Sequence, residues 1–197
     1  SEAHLDDASS EVGSTGGTET SPTVISAIPL GAADEETGYE FSLTPIARVG
    51  IAKAASAPVI NADGTFTVDF SLLVENFSLE PLINMVVTDP LTGALPLFGT
   101  YEALGTPATD PFGGTGRYTI LTPPGGSCGG LQAGFDGNGG AGDTLATGFG
   151  MAATSTCTIT FSLRVAPADP TDAYENQALV DGEGALTGQT SGTNPEL

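Results

Sequence analysis

The chain has 197 residues, 39% of them hydrophobic, which is enough for one domain with a core and an extension. Only four Lys and Arg residues stand against 24 Asp and Glu, a formal net charge of −20. That charge excludes nucleic acid as a natural partner, because phosphate requires a basic surface. The sequence contains no run of about 18 apolar residues, so no membrane-spanning helix is predicted.

The first 45 residues are predicted to form an N-terminal extension. Residues 1–21 offer only Leu5 and Val12 as sizeable apolar side chains, too little to offset the entropy lost on ordering. We therefore expect this polar tail to gain structure from a partner. A β-prone run, 22–30, follows as a candidate donor strand, and 31–38 is an acidic linker. One side of the run would carry three apolar residues, Val24, Ile28 and Leu30.

Beyond the extension, apolar residues recur mostly at every second position, and Gly and Pro punctuate the chain. An Asp-Gly pair at 63–64 predicts a hairpin turn. Residues 90–150 show a looser pattern. The strand candidates are 47–57, 65–76, 82–89, 98–104, 117–121, 155–167 and 174–182. The predicted fold is an all-β, Ig-like antiparallel sandwich over 46–197, with an extended N-terminal segment.

The strand sequences carry a family resemblance. They include "IAKAASAPVINADGTFTVDFSLLVEN", "PLINMVVTDPL", "STCTITFSLRVAP", "YENQALVDGEG" and "TGQTSGTNPEL". This region, roughly 46–197, resembles the Ig-like "conserved repeat" domain of bacterial and archaeal surface proteins, domain-of-unknown-function family 11 and its relatives. The resemblance implies an extracellular sandwich with structural or spacing duties, usually in tandem arrays, whereas this chain carries one copy.

Two cysteines, Cys128 and Cys157, predict one disulfide, since their number is even in a chain that we expect to be exported. Cys157 lies on the apolar face of a strand, and Cys128 lies in a Gly-rich loop that can reach it. We interpret Ser1 as the residue left after removal of a signal peptide. The expected location is therefore extracellular or at the cell surface.

The single lysine, Lys53, shares a strand face with Val49 and Ile51. Asp89 and Asn176 also fall on faces that are predicted to be apolar. A buried Lys, Asn and acid could form an intramolecular isopeptide bond, with the acid carrying protons. Alternatively, Lys53 extends to solvent at a sheet edge and Asn176 bonds to backbone.

Motifs for other chemistry are weak. The only histidine, His4, lies in the polar tail, so a catalytic triad has no base, and we expect no enzyme activity. No cofactor is implied. Asp136, Asn138 and Asp143 lie in a Gly-rich loop and could bind calcium, although the same residues are typical of an Asx turn.

Together these features predict a non-enzymatic structural subunit of an extracellular filament or surface assembly. Its partners would be copies of itself, joined by donation of strand 22–30 to the edge of a neighbouring sandwich. The alternative is a cell-surface adhesive, ligand-binding Ig-like domain.

Overall fold

A computed structural model describes residues 5–11, 16–21, 24–28, 37–91, 100–101, 117–166, 176–192 and 194–195. The chain divides into two compact units, Ser1–Ile46 and Ala47–Leu197. Each unit has its own strand pairs and is described by itself.

The N-terminal unit consists of two antiparallel strand pairs. Its strands are β1 (Leu5–Glu11), β2 (Thr18–Ser21), β3 (Val24–Ser26) and β4 (Glu40–Pro45). Strand β1 pairs with β4 and β2 pairs with β3. Strands β1 and β2 thus lie within the polar tail and pair inside the N-terminal unit, which the sequence did not predict, since backbone hydrogen bonds do not depend on apolar side chains.

The candidate donor strand 22–30 is shorter than predicted. Strand β3 ends at Ser26, and Ala27 has a φ of 53°, in the left-handed region, so the extended alternation stops there. Ile28 therefore lies beyond the strand and is partly exposed. Leu30, most of the acidic linker 31–38 and His4 lie outside the described residues.

The second unit is a sandwich of two sheets, antiparallel except for the parallel pair β9–β10, which confirms the predicted all-β class. The first sheet has the order β5-β7-β12-β10-β9, with β6 beside β7. Its strands are β5 (Val49–Ala55), β6 (Val59–Ile60), β7 (Phe66–Asn76), β9 (Thr100–Tyr101), β10 (Arg117–Gly126) and β12 (Thr156–Ala166). The second sheet has the order β11-β8-β13-β14. Its strands are β8 (Leu82–Thr88), β11 (Thr144–Met151), β13 (Leu179–Gly184) and β14 (Asn194–Pro195).

The core lies between the facing sides of the two sheets. Strand β7 buries every second residue, as predicted, and its central partner β12 does the same. In the register Phe161 lies opposite Phe70, and their rings stack with centroids 5.0 Å apart. The second sheet adds Met85, Val87 and Val180 to the same cluster.

Three features of the sandwich differ from the sequence expectations. Strand β11 was not predicted, because Gly148 and Gly150 weaken its pattern. Ile83 was expected on the core face but is 40% exposed, since Asn84 has a φ of 52° and interrupts the alternation of β8. The predicted strand 174–182 begins at Leu179 instead, so Asn176 precedes β13.

Candidate functional site

The most unusual group in the sandwich is a buried ion pair. Lys53 Nζ donates a hydrogen bond to Asp89 Oδ2 at 2.6 Å, and the two side chains are only 4% and 0% exposed. Lys53 reaches this position because it lies on the inner face of β5, like Ile51. The alternative in which Lys53 extends to solvent is therefore wrong.

Aromatic rings form the surroundings of the lysine. Its Nζ lies 4.7 Å from the ring centroid of Phe70 and 5.7 Å from that of Phe161. Phe135 packs edge-on against Phe161, with centroids 5.1 Å apart. Ring faces attract a cation, but they also exclude water from the ammonium group. The sequence predicted these rings as core residues and gave no signal of their contact with Lys53.

Asn176 is connected to the ion pair through the residue that follows Asp89. Its Nδ2 donates to the backbone carbonyl of Pro90, the residue after Asp89, at 3.0 Å. Its Oδ1 is buried and accepts no hydrogen bond from the residues that the structure describes. The structure thus places Lys53 in contact with Asp89 and ties Asn176 to the residue that follows Asp89, although Asn176 bonds to backbone, as the alternative expected.

The three residues come from different parts of the fold. Lys53 belongs to β5, an end strand of the first sheet, whereas Asp89 directly follows β8 in the second sheet. Asn176 comes three residues before β13, which pairs with β8 through Leu179 opposite Thr88. The site therefore spans both sheets, close to the first and the last long strands of the sandwich.

The predicted disulfide between Cys128 and Cys157 is confirmed, with 4.9 Å between the Cα atoms. Cys157 lies in β12, and Cys128 lies in the turn that follows β10. Backbone bonds from Ser127 and Cys128 to the carbonyl of Thr158 hold the same turn. The disulfide therefore fixes a Gly-rich loop to the central strand of the first sheet.

The proposed calcium ligands lie in one loop, but their carboxylates face its backbone. Asp136 Oδ1 accepts the amide of Asn138 at 3.0 Å, and Asp143 Oδ1 accepts that of Gly139 at 2.8 Å. The first is the hydrogen bond of an Asx turn, and the second closes the loop back onto its own start. Within the described ranges, no group of three or more His, Cys, Asp or Glu residues is placed to hold a metal ion.

Two further buried polar residues, Asn76 and Glu80, hold loops of the sandwich. Asn76 is fully buried, and its Nδ2 donates to the carbonyls of Glu80 and Ala152 while its Oδ1 accepts from Ser78. Glu80 is also fully buried, and its carboxylate accepts hydrogen bonds from the backbone amide and the hydroxyl of Thr187. Both side chains satisfy loop backbone, which is a structural role.

No protein-family model matches the chain, and no curated protein gives a significant match. The resemblance to the Ig-like repeat domain therefore stays a prediction. Among the described residues, no helix combines the length and apolar character needed to cross a bilayer.

Proposed function

We propose that the protein is a non-enzymatic structural subunit of an extracellular filament or surface assembly, and that its N-terminal unit joins one copy to the next. One observation carries this proposal. Every described residue of the buried core lies in the unit Ala47–Leu197, between Ala47 and Val180, although the N-terminal unit also forms strands.

Strand pairs without a core are weak structures. An isolated two-stranded hairpin is marginally stable in water, because its hydrogen bonds exchange with those to solvent and it buries little apolar surface. Strands β2 and β3 form such a pair, and Ile25 in β3 is only half-buried. A second surface that covers Ile25 and Ile28 would add apolar burial to this pair.

The conformation of β3 supports transfer of this strand to a neighbour. Ala27 holds a φ of 53°, which costs an L-residue roughly 1–2 kcal/mol. An extended conformation of 22–30 along a sheet edge would remove that cost and add backbone hydrogen bonds to the edge strand. In the described part of the sandwich, β5 and β9 end the first sheet, and β11 and β14 end the second.

A contact of this kind joins two different surfaces, one on each copy. Such a heterologous contact repeats along a fibre unless its rotation closes a ring. The sandwich suits a repeating subunit, since its disulfide and continuous core stabilise it without help from the extension. The net charge of −20 would keep the free subunits apart at low ionic strength, and salt would promote assembly.

Deletion of residues 1–30 tests the proposal. The full chain should form polymers on a sizing column and in electron micrographs, whereas the deleted chain should be a folded monomer that keeps the β-sheet circular dichroism and the unfolding transition of the sandwich. A double variant, Val24→Asp with Ile28→Asp, should also stay monomeric. The control, Thr18→Asp with Thr20→Asp, adds equal charge to β2 but keeps the apolar residues, and it should polymerise.

Two outcomes would contradict the proposal. One is a deleted chain that polymerises as the full chain does. The other is a full chain that stays monomeric at every concentration and salt level.

A groove on the sandwich favours the second candidate, an adhesive domain. Asn61, Ala62, Asp63, Thr67, Leu121 and Arg164 line this groove, which has a volume of about 410 Å³. Arg164 pairs with Asp63, and its Nε donates to Thr65 Oγ1 at 3.0 Å, so its charge is already engaged. A chain that stays monomeric and binds a surface glycan or protein through this groove would support adhesion instead.

A further inference from the structure

We propose that Lys53 and Asn176 form an intramolecular isopeptide bond, with Asp89 as the proton carrier. The proposal stands apart from filament assembly. It rests on the buried Lys53–Asp89 pair, the aromatic rings around it, and the carboxamide of Asn176, which is held on the carbonyl of Pro90, the residue after Asp89.

The position of the lysine itself calls for a chemical explanation. The chain contains one lysine and 24 acidic residues, and solubility would favour that lysine on the surface. Instead its side chain is 4% exposed. Buried ion pairs contribute little net stability, since apolar residues of similar size often replace them without loss. A covalent reaction gives the buried lysine a role that an apolar residue could not fill.

The surroundings favour the reactive form of the amine. Between aromatic rings and away from water, burial penalises the charges of both groups, so proton transfer from Nζ to Asp89 costs less here than it would in water. The 2.6 Å contact between Nζ and Asp89 Oδ2 is a direct path for that proton. Neutral Lys53 then has a lone pair, which makes it a nucleophile.

The reaction balances without any further reactant. The Nζ lone pair of Lys53 attacks Cγ of Asn176, and the carbonyl electrons move onto Oδ1. As the tetrahedral centre collapses, the Cγ–Nδ2 bond breaks, and the nitrogen takes the proton from Asp89 and leaves as ammonia. Nζ loses its remaining extra proton to the Asp89 carboxylate and then to solvent. The products are one amide bond and one ammonium ion, with no change of oxidation state.

The carboxamide is suitably placed for this role. Asn176 Oδ1 is buried, and no described residue donates a hydrogen bond to it, so this carbonyl oxygen is not engaged elsewhere in the described core. Nδ2, the leaving group, is held on the carbonyl of Pro90, directly beside Asp89. This hydrogen bond ties the leaving group to the residue that follows the acid in the chain.

The bond would have a mechanical consequence. It would connect β5, the first long strand of the sandwich, to the segment that leads into β13. A pulling force that enters at one end of the sandwich and leaves at the other would pass through the bond. Residues 54–175 would then be shielded from that force.

Intact-mass measurement of the full chain, with its disulfide reduced, is the first test. The expected mass is lower than the sequence mass by one ammonia. Lys53→Met, Asn176→Ala and Asp89→Ala should each restore the sequence mass. A wild-type chain that has the full sequence mass would overturn the proposal, whatever the variants do.

Tryptic digestion locates the bond, because the chain has only four basic residues at which trypsin can cleave and therefore gives few fragments. An amide on Nζ blocks cleavage after Lys53, so fragment 49–117 should stay joined to fragment 165–197. Without the bond, cleavage after Lys53 releases the peptides 49–53 and 54–117. Release of 49–53 from the lighter protein would overturn the proposal.

Two control variants separate this reaction from other ammonia losses. Asn138 precedes Gly139 and could lose ammonia by forming a succinimide, so Asn138→Ala must still show the lower mass. Gln177→Ala removes the exposed carboxamide next to Asn176 and must show it too. If Asn138→Ala abolishes the loss, the isopeptide bond is not its source. Circular dichroism of Asn176→Ala and Asp89→Asn distinguishes a missing bond from a missing fold.

Discussion

Strands β1 to β4 of the N-terminal unit and strands β5 to β14 of the sandwich use the same backbone hydrogen bonds. The buried apolar cluster that the structure describes belongs to the sandwich. Under the sandwich strands is a continuous cluster that includes Leu72, Leu163 and Val180, each nearly or fully buried. No described residue of the N-terminal unit belongs to that cluster. Since a hydrogen bond adds only about 0.5–1.5 kcal/mol net, burial rather than strand pairing should set the stability of each unit.

The largest effect should come from the core. Leu163→Ala removes a fully buried side chain from β12 and should lower the free energy of unfolding by about 2–5 kcal/mol. Urea unfolding followed by circular dichroism measures this. Leu73→Ala, at a 43% exposed position of the neighbouring strand, should cost less than about 1 kcal/mol. Ile25→Ala in β3 should leave the urea transition of the sandwich unchanged. If it lowered that transition as much as Leu163→Ala does, the two units would not differ in what stabilises them.

Removal of the disulfide should have the next largest effect. Cys128→Ala with Cys157→Ala frees a loop closed over a separation of 29 residues, worth about 3.5 kcal/mol in the chain-entropy model. The sandwich core should remain, so the circular dichroism of the folded state should be unchanged. Limited proteolysis should become faster within 123–131. Loss of the β-sheet signal would show that the bridge, rather than the core, holds the sandwich.

Two glycines sharpen the role of packing. Gly137 and Gly148 have φ values of 67° and 68°, so alanine is strained equally at both. A Cβ at Gly137 would lie 2.4 Å from Leu91 Cγ, whereas none at Gly148 would meet an atom within 4 Å. Gly137→Ala should therefore destabilise by about 1–3 kcal/mol more than Gly148→Ala in thermal unfolding. Equal losses would show that Leu91 moves aside without cost.

The smallest effect belongs to the N-terminal unit. Ala27→Gly removes the roughly 1–2 kcal/mol cost of a left-handed alanine and should stabilise the β2–β3 hairpin locally. Hydrogen exchange at Ile25 and Ser26 should become slower, while the urea transition of the sandwich stays in place. A shift of that transition would show that the two units unfold together.

Local alternation made much of the sandwich predictable. The faces of β7 and β12 follow from residues two apart, and the Asp-Gly turn before β7 forms with Gly64 at a φ of 83°. The disulfide was predictable because Cys157 alternates with Ile159 and Phe161. In each case the information lies within a few residues, where side chains of one strand must share a face.

Other features required the tertiary structure. The pairing of β1 with β4 was not predictable from β1, whose only sizeable apolar residue is Leu5, although Phe41 and Leu43 alternate in β4. Asn84 turned Ile83 outward through a backbone angle that the sequence does not show. The meeting of Lys53 and Asp89 across the two sheets was suggested by face counting. Its 2.6 Å contact, the two phenylalanine rings and the hydrogen bond of Asn176 to Pro90 were decided by sheet order and register. A register shift of one residue would reverse every face, and only the packing of all strands together selects one register.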